Sequence, residues 1–405
     1  VDVLIIGAGV LGCGTARALL SENRSLRVKV LEKETREAVH QSGRNSGVVH
    51  AGYNQKPGTR KARFVVEGNR RLKKFCAEKG VPCTPHGILI VAHTDEELEV
   101  LQKLSARAEA NGAEVRLLSR REVVEQEPYA VAKGGLLAPE AASFDAAGYT
   151  SALRREAENM GAAFTFGNAA DRIDEEECAA VVHHGETRTR ARLLINCAGL
   201  HADRIARMAG ASVQARIVPF RGFYSQLRPQ AAAKVRGHIY PTPNLQFPFL
   251  GVHLSRTWDN RVLVGPGAAL ALGREAYSFF SGNAADFAEM IRFAGFRKLW
   301  RRSEFLRLVS SEWRKSISRR AVAQEAGRMV PSLRESDLVP GPAGIRAQVV
   351  DCDGQLVDDL MTAETPHGLH VLNAVSPALT CSLPFCDELA ARALMRLDGE
   401  NSGER

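Results

Sequence analysis

The spacing of apolar residues changes along this chain, and that spacing predicts its elements. The chain begins on a nearly continuous apolar run, VDVLIIG (1–7), the pattern of a parallel strand buried on both faces. GVLGCGTARALL (9–20) has helical period, and RVKVLE (27–32) reads as a second short strand. In GTRKARFVVEGNRRLKKFCAEKG (58–80), Ala62, Val65, Val66, Leu72 and Phe75 share one broad helical face. GILIVA (87–92) is strand-like. Thr94 with Glu97 forms the pattern of a capping box that starts a helix ending near Asn111–Gly112. TSALRREAENMG (150–161) predicts another helix, and TRARLLINCAGLHADRIARMAG (189–210) a strand, a glycine turn and a helix.

From 215 to 270 the character shifts. ARIVPFRGFYSQL, GHIYPTPN, FPFLGVHLS and RVLVGPG are short strands divided by Pro and Gly turns, which predicts an antiparallel sheet. Helical patterns return over 284–330. AGIRAQVV (343–350) and GLHVLNAV (368–375) read as strands, and a last helix spans 382–396, followed by nine polar residues expected to fray. No internal repeat interrupts this order. The α/β segments enclose the antiparallel one. The expected fold class is therefore α/β (α+β overall): a Rossmann-like dinucleotide-binding domain, discontinuous over 1–80, 145–214 and 340–405, and an antiparallel-sheet substrate domain from 81–144 and 215–339.

Composition narrows the function classes. A chain of 405 residues with 45% apolar residues can bury a large core. It has no run of 18 apolar residues, so no transmembrane helix is expected, and no signal-peptide pattern opens the sequence. The eight cysteines are scattered without a C-x-x-C pair, which points to reduced thiols in the cytoplasm and to no metal site. The net charge is +8, but no nucleic-acid module is recognisable and aromatics are only 6%. Anionic small molecules or lipid headgroups are the expected partners, and nucleic acid is not. Segment 292–320 carries ten Lys/Arg and two Glu interleaved with Phe293, Phe296, Leu299, Trp300, Phe305, Leu306 and Trp313. It reads either as an amphipathic helix pair touching the inner face of a membrane or as a solvated basic face over core positions.

One motif carries specific chemistry. GAGVLG, Gly7 to Gly12, follows a buried strand and opens a helix, and Glu32 ends the next strand twenty residues after Gly12. That context completes a dinucleotide fingerprint. The glycines admit a pyrophosphate to the backbone, the helix N-terminus supplies N–H donors, and Glu32 can accept from ribose hydroxyls. Two later segments of strand–turn–helix type, NCAGLHAD (196–203) and NAVSPALT (373–380), and a pliable polar loop, HQSGRNSGVVHAG (40–52), favour FAD over NAD, because the longer dinucleotide is held from several segments.

With these motifs in hand, the sequence resembles the D-amino-acid-oxidase-like flavoproteins, and among them the L-2-hydroxyglutarate dehydrogenases/oxidases. HQSGRNSGVVHAGYNQKPGT, CAGLHADR, IVPFRGFY, IYPTPN, FPFLGVHL, GPAGIRAQVVDCDGQLVDD and NAVSPALTCS carry the resemblance across nearly the whole chain. It implies that Gly7, Gly9, Gly12 and Glu32 hold the ADP half of a non-covalent FAD. Ser42, Arg44, Asn45, Ser46 and Gly47 would line the pyrophosphate and the flavin. Cys197, Ala198 and Gly199 would pass close to the dinucleotide. Ser376, Pro377, Ala378 and Thr380 would lie at the pyrimidine edge, where a helix N-terminus favours negative charge.

The implied substrate is a small dicarboxylate 2-hydroxy acid, and the electron acceptor a quinone or another acceptor. Amine, amino-acid or glycerol-phosphate oxidation on the same fold, or a non-catalytic flavoprotein, are the alternatives. A base must take the hydroxyl proton. His50 is the first candidate and His253 the second. Arg221 and Arg346 are candidates for the carboxylates because a guanidinium fork matches a carboxylate; each could instead be a structural ion pair. Tyr240 and Lys315 are weaker substrate-binding candidates. His183 and His184 are expected at the surface.

Overall fold

The computed structural model describes residues 1–244, 251–303, 305–307, 309, 310, 312 and 318–402. Its first layer is a six-stranded sheet in the order Met361–Thr365, Gly368–Asn373, Leu193–Asn196, Val3–Ile6, Val28–Leu31, Ala163–Thr165. All pairings are parallel except the edge hairpin Met361–Thr365/Gly368–Asn373. Val3–Ile6 is buried throughout, which accounts for the unbroken apolar run at the start of the chain. Helix Val10–Glu22 packs against this sheet, against helix Ala146–Asn159 and against the last helix, Ser382–Ser402.

The second layer is an eight-stranded sheet ordered Leu338–Val350, Arg216–Leu227, Val262–Leu270, His253–Arg256, His238–Pro241, Ile88–Ala92, Gly134–Ala138, Arg116–Ser119. It is mixed rather than purely antiparallel, since His238–Pro241 runs parallel to Ile88–Ala92. Strand Leu338–Val350 corrects the expected boundary at 340. It pairs with Arg216–Leu227 from Arg216↔Val350 to Leu227↔Leu338, so it belongs to this sheet and not to the dinucleotide layer. A small sheet of Val48–Val49, Ala142–Phe144 and Cys83–Thr84 bridges the layers.

Local signals explain several shifted bounds. Asp145 accepts from the Gly148 N–H at 2.9 Å and so starts helix Ala146–Asn159 four residues before the expected 150. Thr94 does cap helix Asp95–Asn111, but the Glu97 carboxylate turns to the His93 N–H (2.5 Å) and not to Thr94, so the capping box is half formed. The last helix continues to Ser402. His184 is buried, not exposed, because its ring is held by Thr189 Oγ1 (2.9 Å) and Thr187 Oγ1 (2.8 Å) within a separate three-stranded sheet.

The basic segment is only partly a surface. Helices Ala284–Arg292 and Ala294–Trp300 lie over the eight-stranded sheet. Phe296, Leu299 and Phe305 pack there with Val218, Phe220 and Val350, so these apolar positions serve the core. Trp300 and Leu306 are exposed. Trp313 and Lys315 lie outside the described residues.

Candidate active site

A cavity of about 1090 Å³ extends from the ends of the parallel strands to the eight-stranded sheet. At its first end the chain makes a tight strand-to-helix turn. Gly7 has φ +103°, and a Cβ there would lie 2.5 Å from the Cys197 carbonyl oxygen. A Cβ on Gly12 would lie 1.8 Å from the Gly7 oxygen. Both positions therefore require glycine for the helix to start against the strand. Gly9 lines the cavity, as do Glu32, Ser42, Arg44, Asn45, Ser46, Ala198, Gly199, Ser376, Pro377, Ala378 and Thr380.

Gly12 and Gly47 are not among the residues that line it. Gly12 sets the helix–strand packing. Gly47 has φ +64°, turns the loop, and donates to Asn45 Oδ1 at 2.8 Å.

The polar groups of this end suit a dinucleotide. Ser42 Oγ accepts from the Val10 N–H at the helix start (2.9 Å). Glu32 is fixed by the N–H groups of Ala8 (2.7 Å) and Glu34 (2.9 Å), which holds its carboxylate on the wall at the end of the second strand. Backbone donors of a helix N-terminus, a glycine cradle that any Cβ would fill and a wall carboxylate are the set that pyrophosphate and ribose require. The residues present thus fit FAD. His40 is tied to Tyr277 (2.6 Å) and Glu34 (2.9 Å) by its two ring nitrogens.

At the far end the eight-stranded sheet presents the reacting groups. His253 and Tyr240 stand side by side on neighbouring strands, one step beyond the Ile239↔Leu254 pair, with ring centroids 4.2 Å apart. His253 is 5% exposed. Its Nδ1–H donates to the Gly251 carbonyl (2.8 Å), which leaves the Nε2 lone pair as the acceptor. Burial depresses His253 to about 4. His50 follows strand Val48–Val49. Its backbone N–H donates to Thr380 Oγ1 (3.1 Å) and its carbonyl accepts from Asn69 Nδ2 (3.0 Å). Burial, and then the proximity of His253, bring it to about 4 as well. Both imidazoles are neutral at pH 7 and able to accept a proton. Burial raises the Tyr240 phenol and brings Tyr224, bonded to Ser46, up to about 12.

Only one of the two strand arginines reaches the cavity, and strand parity decides which. Phe220 is paired with Arg346, and Arg221 with Ile345. On strand Arg216–Leu227 adjacent positions face opposite ways, so Phe220, Gly222 and Tyr224 line the cavity and Arg221 does not, while Arg346, opposite Phe220, lines it together with Ile345 and Ala347. Arg221 is turned away from it, 4% exposed, and its guanidinium donates to the Ala276 (3.0 Å) and Ser278 carbonyls. Arg221 thus anchors the 276–278 loop and does not line the cavity. Burial lowers Arg346 to about 10, against the pull of Asp358, so it is cationic at neutral pH.

The sequence reading missed Lys61, Arg302 and Asp358, which also line the cavity. Lys61 is 3% exposed and donates to the Asp358 carbonyl and to its Oδ1 (3.0 Å). A lysine next to Ala62 on an apolar helical face was the available signal. Asp358 stands in the GQLVDD stretch.

Comparison with known proteins adds identity to this geometry. The family described as FAD dependent oxidoreductase (DAO) matches residues 2–392. The L-2-hydroxyglutarate dehydrogenase of Indibacter alkaliphilus is 35% identical over 400 residues, covering 98% of this chain and 99% of the relative. That of Escherichia coli K12 is 36% identical over 410 residues, covering 100% and 96%. The mitochondrial L-2-hydroxyglutarate dehydrogenase of Homo sapiens is 34% identical over 416 residues, covering 98% and 89%. Among solved structures, the L-alpha-glycerophosphate oxidase of Mycoplasma pneumoniae with FAD bound superposes with a TM-score of 0.76 at 23% identity, covering 98% of this chain and 94% of that one. Glycine oxidase from Geobacillus kaustophilus gives 0.71 at 18%, covering 98% and 94%. At such identities the two structures speak for the fold alone.

Proposed function

The chain belongs to the FAD dependent oxidoreductase (DAO) family, and from that premise we propose that it oxidises L-2-hydroxyglutarate to 2-oxoglutarate. The observation that carries the reading is the pairing, on one cavity wall, of a neutral His253 with its Nε2 lone pair free and a half-buried Arg346 guanidinium. Bound FAD supplies the two-electron oxidant that takes the hydride from the carbinol carbon. Gly7, Gly9, Glu32, Ser42 and the 376–380 turn would hold it.

The chain's own residues do the rest. Arg346 binds a carboxylate of the substrate with a fork of N–H donors. His253, with His50 beside it, takes the hydroxyl proton as the carbonyl forms. Phe220, Tyr240 and Phe305 wall the site and exclude water, which strengthens both interactions. The test is an anaerobic visible spectrum of the FAD-loaded protein. Adding L-2-hydroxyglutarate should bleach the flavin bands, and the D-isomer should not. Bleaching by amines or amino acids alone would overturn the reading.

The electron acceptor we propose is a membrane quinone, reached by a cytoplasmic protein resting on the inner face of the membrane. No described helix is long and apolar enough to cross one, and the eight cysteines are unpaired, which suits a reducing compartment. The supporting surface is narrower than the basic segment. Trp300 and Leu306 are exposed in the segment that carries Arg297, Lys298 and Arg301, and Phe280, on the loop before helix Ala284–Arg292, is 97% exposed. Flotation with anionic vesicles should carry the protein, neutral vesicles should carry less, and Phe280→Ser should weaken binding. Equal recovery with both vesicle types would remove the electrostatic part of the proposal.

A further inference from the structure

Arg346 does not hold its own orientation. Its Nε–H donates to Gln348 Oε1 at 3.0 Å. The two residues are two apart on strand Leu338–Val350 and so face the same way. Gln348 is 0% exposed. Its Nε2 donates to the Val357 carbonyl (2.9 Å) and the Val349 carbonyl (3.1 Å). Two carbonyls on one end of the amide leave only the oxygen for the arginine, which fixes the amide's direction.

Val357 is itself held, by its N–H to the Val349 carbonyl (2.9 Å) and by Asn373 Nδ2 on its own carbonyl (3.1 Å). Its neighbours Leu356 and Asp358 line the cavity. Gln348 therefore ties the guanidinium to the cavity-lining loop.

The identity of the side chain matters as much as its place. A carboxylate at 348 would accept from the guanidinium with full charge and compete with any anion brought to it. An apolar side chain would remove the acceptor from the Arg346 Nε–H and the tie from that guanidinium to the Val357 carbonyl. An amide orients the guanidinium while adding no negative charge. Resting on the reading that Arg346 receives a substrate carboxylate, we propose that Gln348 is a positioning residue that aims Arg346 at the substrate and preserves its charge for it.

A double-mutant cycle tests this with the FAD-loaded protein. Gln348→Glu should raise KM for L-2-hydroxyglutarate roughly 10- to 100-fold, with a smaller fall in kcat, the range expected for a charge-assisted hydrogen bond. The flavin spectrum and FAD stoichiometry should be unchanged. Arg346→Met should raise KM by a comparable factor, and Gln348→Glu added to it should have almost no further effect, because it acts through the missing guanidinium. Gln348→Met, which carries no charge, supplies the same cycle if Gln348→Glu does not fold, with a smaller rise in KM.

A normal KM in the Gln348 variants, or fully additive effects in the cycle, overturns the positioning role while leaving the substrate assignment in place. A wild-type protein that neither oxidises L-2-hydroxyglutarate nor shifts its flavin spectrum with 2-oxoglutarate overturns the substrate assignment, and this inference with it.

Discussion

Replacing His253 by Gln is expected to lower kcat/KM for L-2-hydroxyglutarate by about 10²- to 10⁴-fold, the usual contribution of a positioned base, while FAD stays bound. The expectation follows from the tautomer. Gly251 takes the Nδ1–H, so the Nε2 lone pair is the ring's remaining basic atom. The Tyr240 ring 4.2 Å away fixes the plane. His253 must be neutral to act, and burial has lowered it to about 4. The free enzyme's kcat/KM should therefore be flat from neutral pH down to about 5 and fall only as pH passes through about 4. An imidazole in water would impose that fall near 6.5. Initial rates measured immediately after a pH jump separate this limb from acid unfolding. An acid limb near 6.5, or a His253→Gln variant with near-normal kcat/KM, would remove His253 as the base. If His50→Gln takes the larger loss, the proton goes to the other imidazole of the pair.

The parts of this site legible in the sequence are those whose constraints are local. GAGVLG had to be a strand-to-helix turn because the contact that forbids a Cβ on Gly12 comes from Gly7, five residues away. Glu32 was readable because it ends the next strand of the same unit. His50 and His253 were readable as chemistry, since few other residues take a proton near neutral pH. What the sequence concealed depends on register between distant strands. PFRGFY and AGIRAQ each offer an arginine in an apolar strand, and nothing local says which way either points. The pairing Phe220↔Arg346 decides it, turning Arg346 into the cavity and Arg221 out. The same pairing carries residues 340–350 into the eight-stranded sheet. Gln348 and Asp358 were hidden for a related reason: their roles appear only when the strand and the loop after it fold back on one another.

Lowering the pH from 7 to 5 is expected to cost the folded protein about 4 kcal/mol from two buried histidines alone. His253 and His370 are 5% and 0% exposed, and burial brings each to about 4. His370 makes the structural reason plain. Its Nδ1 faces the Asn196 side-chain amide N–H group at 3.3 Å, while the Asn196 oxygen is committed to the Ala198 N–H, so the amide cannot turn to accept a proton from the ring.

In the unfolded chain both rings titrate near 6.5. Between 6.5 and 4 the unfolded state binds more protons than the folded one, so stability rises with pH across that window and is lost as pH falls through it. At pH 5 each ring contributes about 2 kcal/mol to this loss. The total stability of a typical domain is only about 5–15 kcal/mol. The lowered carboxylates act elsewhere. The His201 hydrogen bond, with Lys33, holds Glu275 at about 2; burial alone would raise Glu289, but Arg204, Arg274 and Arg207 bring it to about 2. Their stabilisation is complete above the ordinary carboxylate range and declines below it.

Melting temperature followed from pH 7 to 5 should therefore fall steadily, and His370→Gln should flatten the slope by about half the effect of the pair. A melting temperature independent of pH over that window would mean that these rings are solvated enough to titrate normally, and the depressed base on which the reaction is argued would fall with them.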